Sequence, residues 1–370
     1  MIKRYATLCA LAALLLPATV IAASTYPDRP VRLIVGFPPG GAADILARVS
    51  AQQLSERLGQ QVVVDNRGGA GGLIATETTA RANADGYTLL FSSIPHVINP
   101  HLYKKVSYDA LKDFAPIVQF VAVPLMMASS NALPVQSVKD LITYAKANPG
   151  KLNYGSAGNG SSSHLAVELF KSMADIRMDH IPYKGTGPLI TDMMAGQVGL
   201  TIASAVPLAP HVRSGKLRGL GVTGPKRSPA FPTIPAIAET VKGYEVINWF
   251  GIFAPAGTPK PLTTRINTVL NEALHAPELV KMLQAQGADV LGGQAGQLHA
   301  DLFQVQAGHF LVQLLGQDVD LLLVGVLVGP QVDLRQRLVR ERVRHDEARV
   351  AGGAAQVHQA AFGQQVNGVA

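Results

Sequence analysis

Cysteine is almost absent from this chain of 370 residues, which contains one, Cys9. A single cysteine forms no intrachain disulfide, so the chain is not a small disulfide-stabilised protein. Charged residues make up only 15% of the chain, but 48% of its residues are hydrophobic, which excludes global disorder. The sequence therefore predicts a folded protein, long enough to form two hydrophobic cores.

The motifs of common enzyme classes are also missing. There is no G-x-x-x-x-G-K-[ST] phosphate loop and no G-x-S-x-G nucleophile motif, and Ile74 stands where a glycine would complete a dinucleotide-binding pattern with Gly69-Ala70-Gly71. Ser162 and Ser163 lie next to His164, but adjacent helical residues do not face each other. No metal-type histidine spacing and no paired carboxylates are evident between residues 23 and 293. We therefore predict a protein that is not an enzyme and uses no cofactor or metal.

Basic residues outnumber acidic ones, which gives a formal net charge of +7. Nucleic-acid-binding proteins concentrate such charge in a dense patch. The longest basic-rich segment here, Arg335 to Arg344, is of modest density and is interrupted by Glu341. The charge therefore predicts no nucleic-acid partner.

The first residues have the pattern of an export signal. Lys3 and Arg4 precede an apolar stretch from Leu8 to Leu16, and Val20-Ile21-Ala22 is a small-residue cleavage pattern. The stretch is too short for a stable membrane anchor. We predict a signal peptide over residues 1–22 and a periplasmic location; the alternative is a buried helix of the mature fold. Cleavage after Ala22 removes the only cysteine.

From residue 23 onward, short apolar strands alternate with amphipathic helices, which predicts an α/β fold with a mainly parallel sheet. Strands are predicted at 31–37, 61–65, 87–91, 151–155, 177–183, 199–204, 217–223 and 248–254. Helices are predicted after Gly41 as far as Gly59, and at 73–82, 137–147, 161–174, 187–196, 261–274 and 277–286.

Two extended crossings, near Pro116–Ala128 and Tyr244–Ala254, divide this pattern into two lobes. We predict lobe I over 23–122 plus 245–293 and lobe II over 123–244, with a cleft between them. Ligands of such sheets bind beyond the carboxyl ends of the strands.

Two loops, one in each lobe, follow a strand and open a helix. The first loop, Phe37 to Asp44, contains two prolines and the pair Gly40-Gly41. The second loop, Tyr154 to His164, is rich in glycine and serine. Backbone N–H groups, hydroxyls and a helix N-terminus are suited to binding an anion. The alternative is a plain strand–helix connection in the first loop and an ordinary helix cap in the second.

A series of ordered motifs over about residues 25–293 resembles the extracytoplasmic receptors of the tripartite tricarboxylate transporter family, also called Bug-type solute-binding proteins. The motifs are Tyr26-Pro27-Asp28-Arg29-Pro30-Val31, Phe37-Pro38-Pro39-Gly40-Gly41, Val64-Asp65-Asn66-Arg67-Gly68, Ala84-Asp85-Gly86-Tyr87, Asn153-Tyr154-Gly155-Ser156, Ile181-Pro182-Tyr183-Lys184-Gly185 and Trp249-Phe250-Gly251-Ile252-Phe253-Ala254-Pro255.

The resemblance implies a periplasmic clamshell of the type II binding-protein kind, with two Rossmann-like α/β lobes. It implies a monomer that binds a small carboxylate and delivers it to the membrane subunits of a tripartite transporter. A periplasmic sensor of a two-component system is the alternative. Ligand-binding residues are carried over as Phe37, Pro39, Gly40, Gly41, Ala42 and Asp44 in the first loop and Ser156, Ala157, Gly158, Gly160, Ser161, Ser162, Ser163 and His164 in the second. Further candidates are Asn66, Ser92, Tyr183, Lys184 and Ser204.

The last segment, residues 294–370, differs from the rest of the chain. It contains 12 Gln and 13 Val in 77 residues but no Ser, Thr, Lys, Ile, Met, Tyr or Trp. The resemblance stops at about Gly292-Gly293, where the family continues with a final amphipathic helix. We favour a reading-frame change near codon 293 as the origin of this segment; a genuine extension is the alternative.

Overall fold

The structure, a computed structural model, describes residues 26–293. The predicted signal peptide and the anomalous C-terminal segment lie outside the described residues. The strands are β1 (Val31–Val35), β2 (Val62–Asn66), β3 (Thr88–Ser93), β4 (Phe114–Ser130), β5 (Asn153–Ser156), β6 (Asp179–Pro182), β7 (Leu200–Ser204), β8 (Leu217–Val222), β9 (Ile247–Pro255) and β10 (Asp289–Val290). The helices are α1 (Ala42–Leu58), α2 (Leu73–Ala80), α3 (Pro95–Leu102), α4 (Val138–Ala147), α5 (Ser162–Ala174), α6 (Thr186–Met194), α7 (Ala205–Arg213), α8 (Lys260–Leu274) and α9 (Pro277–Ala285).

Lobe I is built on three parallel strands in the order β2-β1-β3. Helix α1 crosses between β1 and β2, and it ends at Gly59, whose φ of 73° is the left-handed conformation that glycine adopts at helix C-termini. Leu46 and Leu54 on this helix pack in one hydrophobic core with Leu33 and Val35 of β1. The predicted strand–helix alternation is confirmed here.

Lobe II repeats the arrangement with β5 parallel to both β6 and β7. Helix α4 begins at the predicted cap, where the hydroxyl of Ser137 accepts a hydrogen bond from the Asp140 N–H at 3.1 Å. Helix α5 lies in a core with Tyr154, and its Phe170 ring meets the Tyr244 ring edge-on.

The expectation of a mainly parallel sheet is wrong at the centre of the molecule. The crossing strands β4 and β9 are antiparallel to each other, β3 is antiparallel to β9, and β4 is antiparallel to β7 and β8. A chain that leaves one lobe and later returns must cross in opposite directions, so the two crossing strands pair antiparallel.

Strand β4 connects the two halves of the sheet. Its residues up to Pro124 pair with β9, and its residues from Leu125 pair with β7 or β8. This change of partners lies close to the predicted boundary between residues 122 and 123, and the lobe boundaries themselves stay predictions.

Two helices were not anticipated from the sequence, α3 and α7. Each contains two prolines, which usually interrupt helices. The first proline of each lies in the opening turn, where its missing N–H costs nothing because those N–H groups have no partner inside the helix. Among residues 26–293, no helix combines the length and apolar character required to span a bilayer.

Candidate functional site

A small cavity lies between the lobes, at the carboxyl ends of β3 and β7. Its volume is about 40 Å³, room for about three water molecules at roughly 10–15 Å³ each. A ligand larger than this requires the walls to move apart. The lining residues are Phe37, Gly41, Ala42, Ala43, Ser93, Ala157, Ser161, Ser162, Ser163, Thr186, Ala203, Ser204, Asn248 and Phe250.

Four helices begin at this cavity. The residues that precede the first turns of α1, α5, α6 and α7 are Gly41, Ser161, Gly185 and Ser204. Helix N-termini have N–H groups without partners inside the helix, and each carries roughly half of a positive elementary charge. Two of the helices belong to the two predicted loops, and the other two extend the same arrangement around the cavity.

The first loop is held in shape from behind by Asp44, which does not line the cavity. Its carboxylate accepts hydrogen bonds from the Gly40 N–H at 3.1 Å and from Asn66 Nδ2 at 3.0 Å, and it lies 2.9 Å from Arg48. Burial raises the pKa of the Asp44 carboxyl, but the hydrogen bonds from Arg48, Gly40 and Asn66 outweigh burial and hold the pKa below its usual value. Asn66 also donates to the Phe37 carbonyl at 2.8 Å. Asp44 and Asn66 therefore support the shape of the loop from positions outside the cavity lining.

The second loop is organised by its own serines. Ser161 caps α5 by accepting from the His164 N–H at 3.3 Å, and its hydroxyl donates to the Gly158 carbonyl at 2.6 Å. Ser163 accepts from the Ala157 N–H at 2.8 Å. Ser162 lines the cavity, and its hydroxyl makes no hydrogen bond to another residue within 26–293. The hydroxyls of Ser161 and Ser163 thus stabilise the loop itself, whereas that of Ser162 remains available at the cavity.

Behind the second loop lies a cluster of titratable side chains. Ser156 Oγ lies 2.6 Å from His180 Nε2, and the His180 ring stacks on both Tyr154 and His164. Burial, followed by the charge of His164, lowers the pKa of His180 to about 4. Burial also lowers the pKa of His164. Both imidazoles are thus neutral near pH 7, and the cluster supports the loop from outside the cavity.

The structure brings eight of the predicted ligand-binding residues to the cavity wall. They are Phe37, Gly41, Ala42, Ala157, Ser161, Ser162, Ser163 and Ser204. The other predicted residues lie behind or beside it, and they are Pro39, Gly40, Asp44, Asn66, Ser92, Ser156, Gly158, Gly160, His164, Tyr183 and Lys184.

Six lining residues were missed by the sequence prediction, namely Ala43, Ser93, Thr186, Ala203, Asn248 and Phe250. Ser93 was missed by one residue, because alternate residues of a strand point to opposite faces and Ser92 was named instead. Thr186 is the first residue of the helix that was predicted to start at Gly187. A hydroxyl residue at a predicted helix start was therefore visible in the sequence and could have been named as a candidate. Asn248 and Phe250 lie on crossing strand β9, where sequence pattern carries no signal of a cavity.

The lobes also touch at two places beside the cavity. A Cβ placed on Gly185 of lobe II would lie 2.5 Å from the Pro38 ring of lobe I. The Tyr103 hydroxyl donates to the Asn159 carbonyl at 3.2 Å. The cleft is therefore closed in this structure.

No charged side chain among residues 26–293 lines the cavity, although four helix N-termini meet there. Such a site favours an anion through N–H groups and hydroxyls alone. Within the described part of the chain, no group of three or more His, Cys, Asp or Glu is arranged to hold a metal.

The sequence pattern of the family described as "Tripartite tricarboxylate transporter family receptor" matches residues 46–309. The chain belongs to this family. The match extends beyond residue 293, where the resemblance was predicted to stop, and leaves residues 310–370 uncovered. The resemblance predicted from the sequence motifs is confirmed.

Similar proteins include Protein BugT of Bordetella pertussis, which is 41% identical over 276 residues, 73% of this chain and 84% of BugT. The solved structure of R. palustris Rpa4515 with adipate has a TM-score of 0.73 at 38% identity and covers 78% of this chain and 95% of Rpa4515. The solved structure of the periplasmic binding protein BugD has a TM-score of 0.72 at 36% identity, with 78% and 95% covered. The predicted two-lobe clamshell is confirmed, and the family is one of periplasmic solute-binding receptors.

Proposed function

We propose that this protein is a periplasmic receptor that captures a small carboxylated solute and delivers it to the membrane subunits of a tripartite transporter. The observation that carries the proposal is the meeting of four helix N-termini at one interlobe cavity that no charged side chain of the described residues lines. A carboxylate provides the negative charge that these N–H groups favour. The adipate bound by Rpa4515 supports this class of ligand.

Binding proceeds by closure of the lobes, without chemistry. The carboxylate docks on the first loop of lobe I, and Ser162 and Thr186 of lobe II meet the ligand only when the cleft is closed. Contacts available only in the closed form shift the population toward that form. Closure also expels water, which strengthens the hydrogen bonds inside the cavity.

We propose a receptor and not an enzyme, and within residues 26–293 we find no credible catalytic set of side chains. Among residues 26–293, Ser156 and His180 are the one serine and histidine whose side chains hydrogen-bond to each other, and Ser156 is fully buried outside the cavity. We therefore assign this pair a structural role. Export by the N-terminal signal, and action as a monomer, complete the proposal.

Calorimetry on the Gly41→Val variant tests the proposal. Gly41 has a φ of −87°, which any residue adopts, and a Cβ there meets no atom closer than 3.9 Å. The variant should therefore fold normally while its isopropyl group fills the space in front of the loop. A thermal-shift screen of mono-, di- and tricarboxylates first identifies a ligand of the wild-type protein.

We expect the affinity for that carboxylate to fall by at least about tenfold in Gly41→Val, with an unchanged melting temperature of the free protein. Unchanged affinity would remove the carboxylate site from the first loop. Delivery is tested by uptake of the same carboxylate in cells that contain the membrane subunits, with and without the receptor. Uptake that does not depend on the receptor would refute the transport role.

A further inference from the structure

Two polar side chains of the cavity have no hydrogen-bond partner among residues 26–293. Asn248 is 2% exposed and Ser204 is 7% exposed, and the atoms left without a partner are Asn248 Oδ1 and Ser204 Oγ. Buried polar groups are nearly always paired, because an unpaired one has lost its water and gained nothing in return. Two such atoms in one cavity therefore point to a ligand group that pairs with them.

The sheet fixes both residues at the centre of the molecule. Asn248 on β9 is in register with Val123 of β4, and Ser204 on β7 is in register with Leu125 of β4. Both thus lie beside the point where β4 changes partners, at the floor of the cavity between the lobes. Ser204 is also the cap residue of α7, but its hydroxyl does not cap the helix. A serine in this position usually accepts from the first turn, so its free hydroxyl is a distinctive feature of this site.

The chemistry of the pair selects the ligand group. A carboxamide and a hydroxyl each offer a donor and an acceptor, and Asn248 Oδ1 accepts only. A second carboxylate accepts from the Ser204 hydroxyl but does not pair with Asn248 Oδ1 as that oxygen is oriented here, and no cationic side chain among residues 26–293 lines the cavity to balance its charge. An ammonium donates to Asn248, but no acidic side chain in the described part of the chain lines the cavity to balance its charge. A hydroxyl or a carboxamide has both a donor and an acceptor, so its chemistry suits both atoms without adding charge.

We propose that Asn248 and Ser204 recognise an uncharged hydrogen-bonding group, a hydroxyl or carboxamide, at the end of the ligand away from its carboxylate. The preferred solute is then a hydroxylated or amidated monocarboxylate. This inference rests on the proposed carboxylate-binding function and names its substrate class.

Calorimetry with a matched series of acids tests it. The probes are the unsubstituted, ω-hydroxy, ω-carbamoyl and ω-carboxy acids of two to six carbons, which differ at one chain length only in the terminal group. For the best chain length, the wild-type protein should bind the hydroxy or carbamoyl acid at least about tenfold more tightly than either the unsubstituted acid or the diacid.

Variants assign the preference to residues. Asn248→Leu, of similar size but apolar, and Ser204→Ala should each reduce that preference at least about fivefold. Ser129→Ala is the matched control, because Ser129 Oγ is also buried without a partner in the described chain but does not line the cavity. It should leave the preference unchanged.

Each outcome decides a different claim. Tighter binding of the diacid, equal binding of all terminal groups, or a preference that survives both cavity variants overturns the inference, even if carboxylates bind. Binding of no carboxylate at all overturns the proposed function itself. If Asn248→Leu does not fold, the wild-type series and Ser204→Ala still decide.

Discussion

The contact between Gly185 and Pro38 predicts that adding a single methyl group, as in Gly185→Ala, prevents full closure of the cleft. A Cβ at Gly185 would lie 2.5 Å from Pro38 Cγ and 2.9 Å from Pro38 Cδ. The φ of Gly185 is 164°, an extended conformation open to any residue, so the cost of Gly185→Ala is steric. The proline ring is rigid and cannot rotate away.

The expected change in the dissociation constant depends on which form of the protein bears the strain. An overpacked contact costs about 1–3 kcal/mol. Gly185 belongs to lobe II and Pro38 to lobe I, so the clash exists only when the lobes are closed. A cost borne by the closed form alone reduces the population that binds ligand tightly. The dissociation constant for the carboxylate should therefore rise about 5- to 150-fold in Gly185→Ala.

Calorimetry measures the dissociation constant, and small-angle scattering measures the dimensions with and without ligand. Gly187→Ala is a matched control, since a Cβ there meets only the Pro39 carbonyl, at an ordinary 3.5 Å. We expect Gly187→Ala to bind as the wild type does. The free Gly185→Ala protein should melt at the wild-type temperature, because the open form carries no clash.

Two results would refute this reasoning. Wild-type affinity in Gly185→Ala would mean that the contact does not resist closure. Equal destabilisation of the variant with and without ligand would mean that the strain is present in both forms.

Three further perturbations test the parts that support the site. Burial and the neighbouring His164 lower the pKa of His180 to about 4, whereas an unfolded histidine titrates near 6.5. Between these two pH values the unfolded chain binds more protons than the folded one, so the stability of the fold should decrease as the pH drops from about 6.5 to about 4. The decrease should be smaller in His180→Asn, and an equal pH dependence of the melting temperature in both proteins would contradict this. Asn66→Ala removes the bonds to the first loop and should weaken carboxylate binding about tenfold by calorimetry, and wild-type affinity would show that the loop needs no such support. Gly155→Val places a Cβ 2.1 Å from Leu189 Cδ1 and should lower the free energy of unfolding by about 1–3 kcal/mol or more in urea titrations; no loss would mean that this core repacks.

Local sequence patterns predicted most of the elements because their signals lie within a few residues. The αL glycine that ends α1 and the Ser137 cap of α4 are local devices. The proline-containing helices α3 and α7 were missed because packing and position, not propensity, allow them.

Both loops of the candidate site were predicted for the same reason. Each combines glycine flexibility with the start of a helix, a pattern that is visible in consecutive residues. The supporting network around Asp44 was only partly visible, since Asn66 comes 22 positions later in the chain and meets Asp44 through the parallel pairing of β1 and β2.

The sequence by itself determined the α/β class, the alternating elements and the two loops of the candidate site, because these depend on periodicity, caps and turns. Only the tertiary structure decided that four helix N-termini share one cavity and that Asn248 lies beside the predicted Ser204 at its floor. These residues come together because β4 passes from one half of the sheet to the other and pairs with both β7 and β9. That pairing joins distant parts of the chain, so no local pattern encodes it.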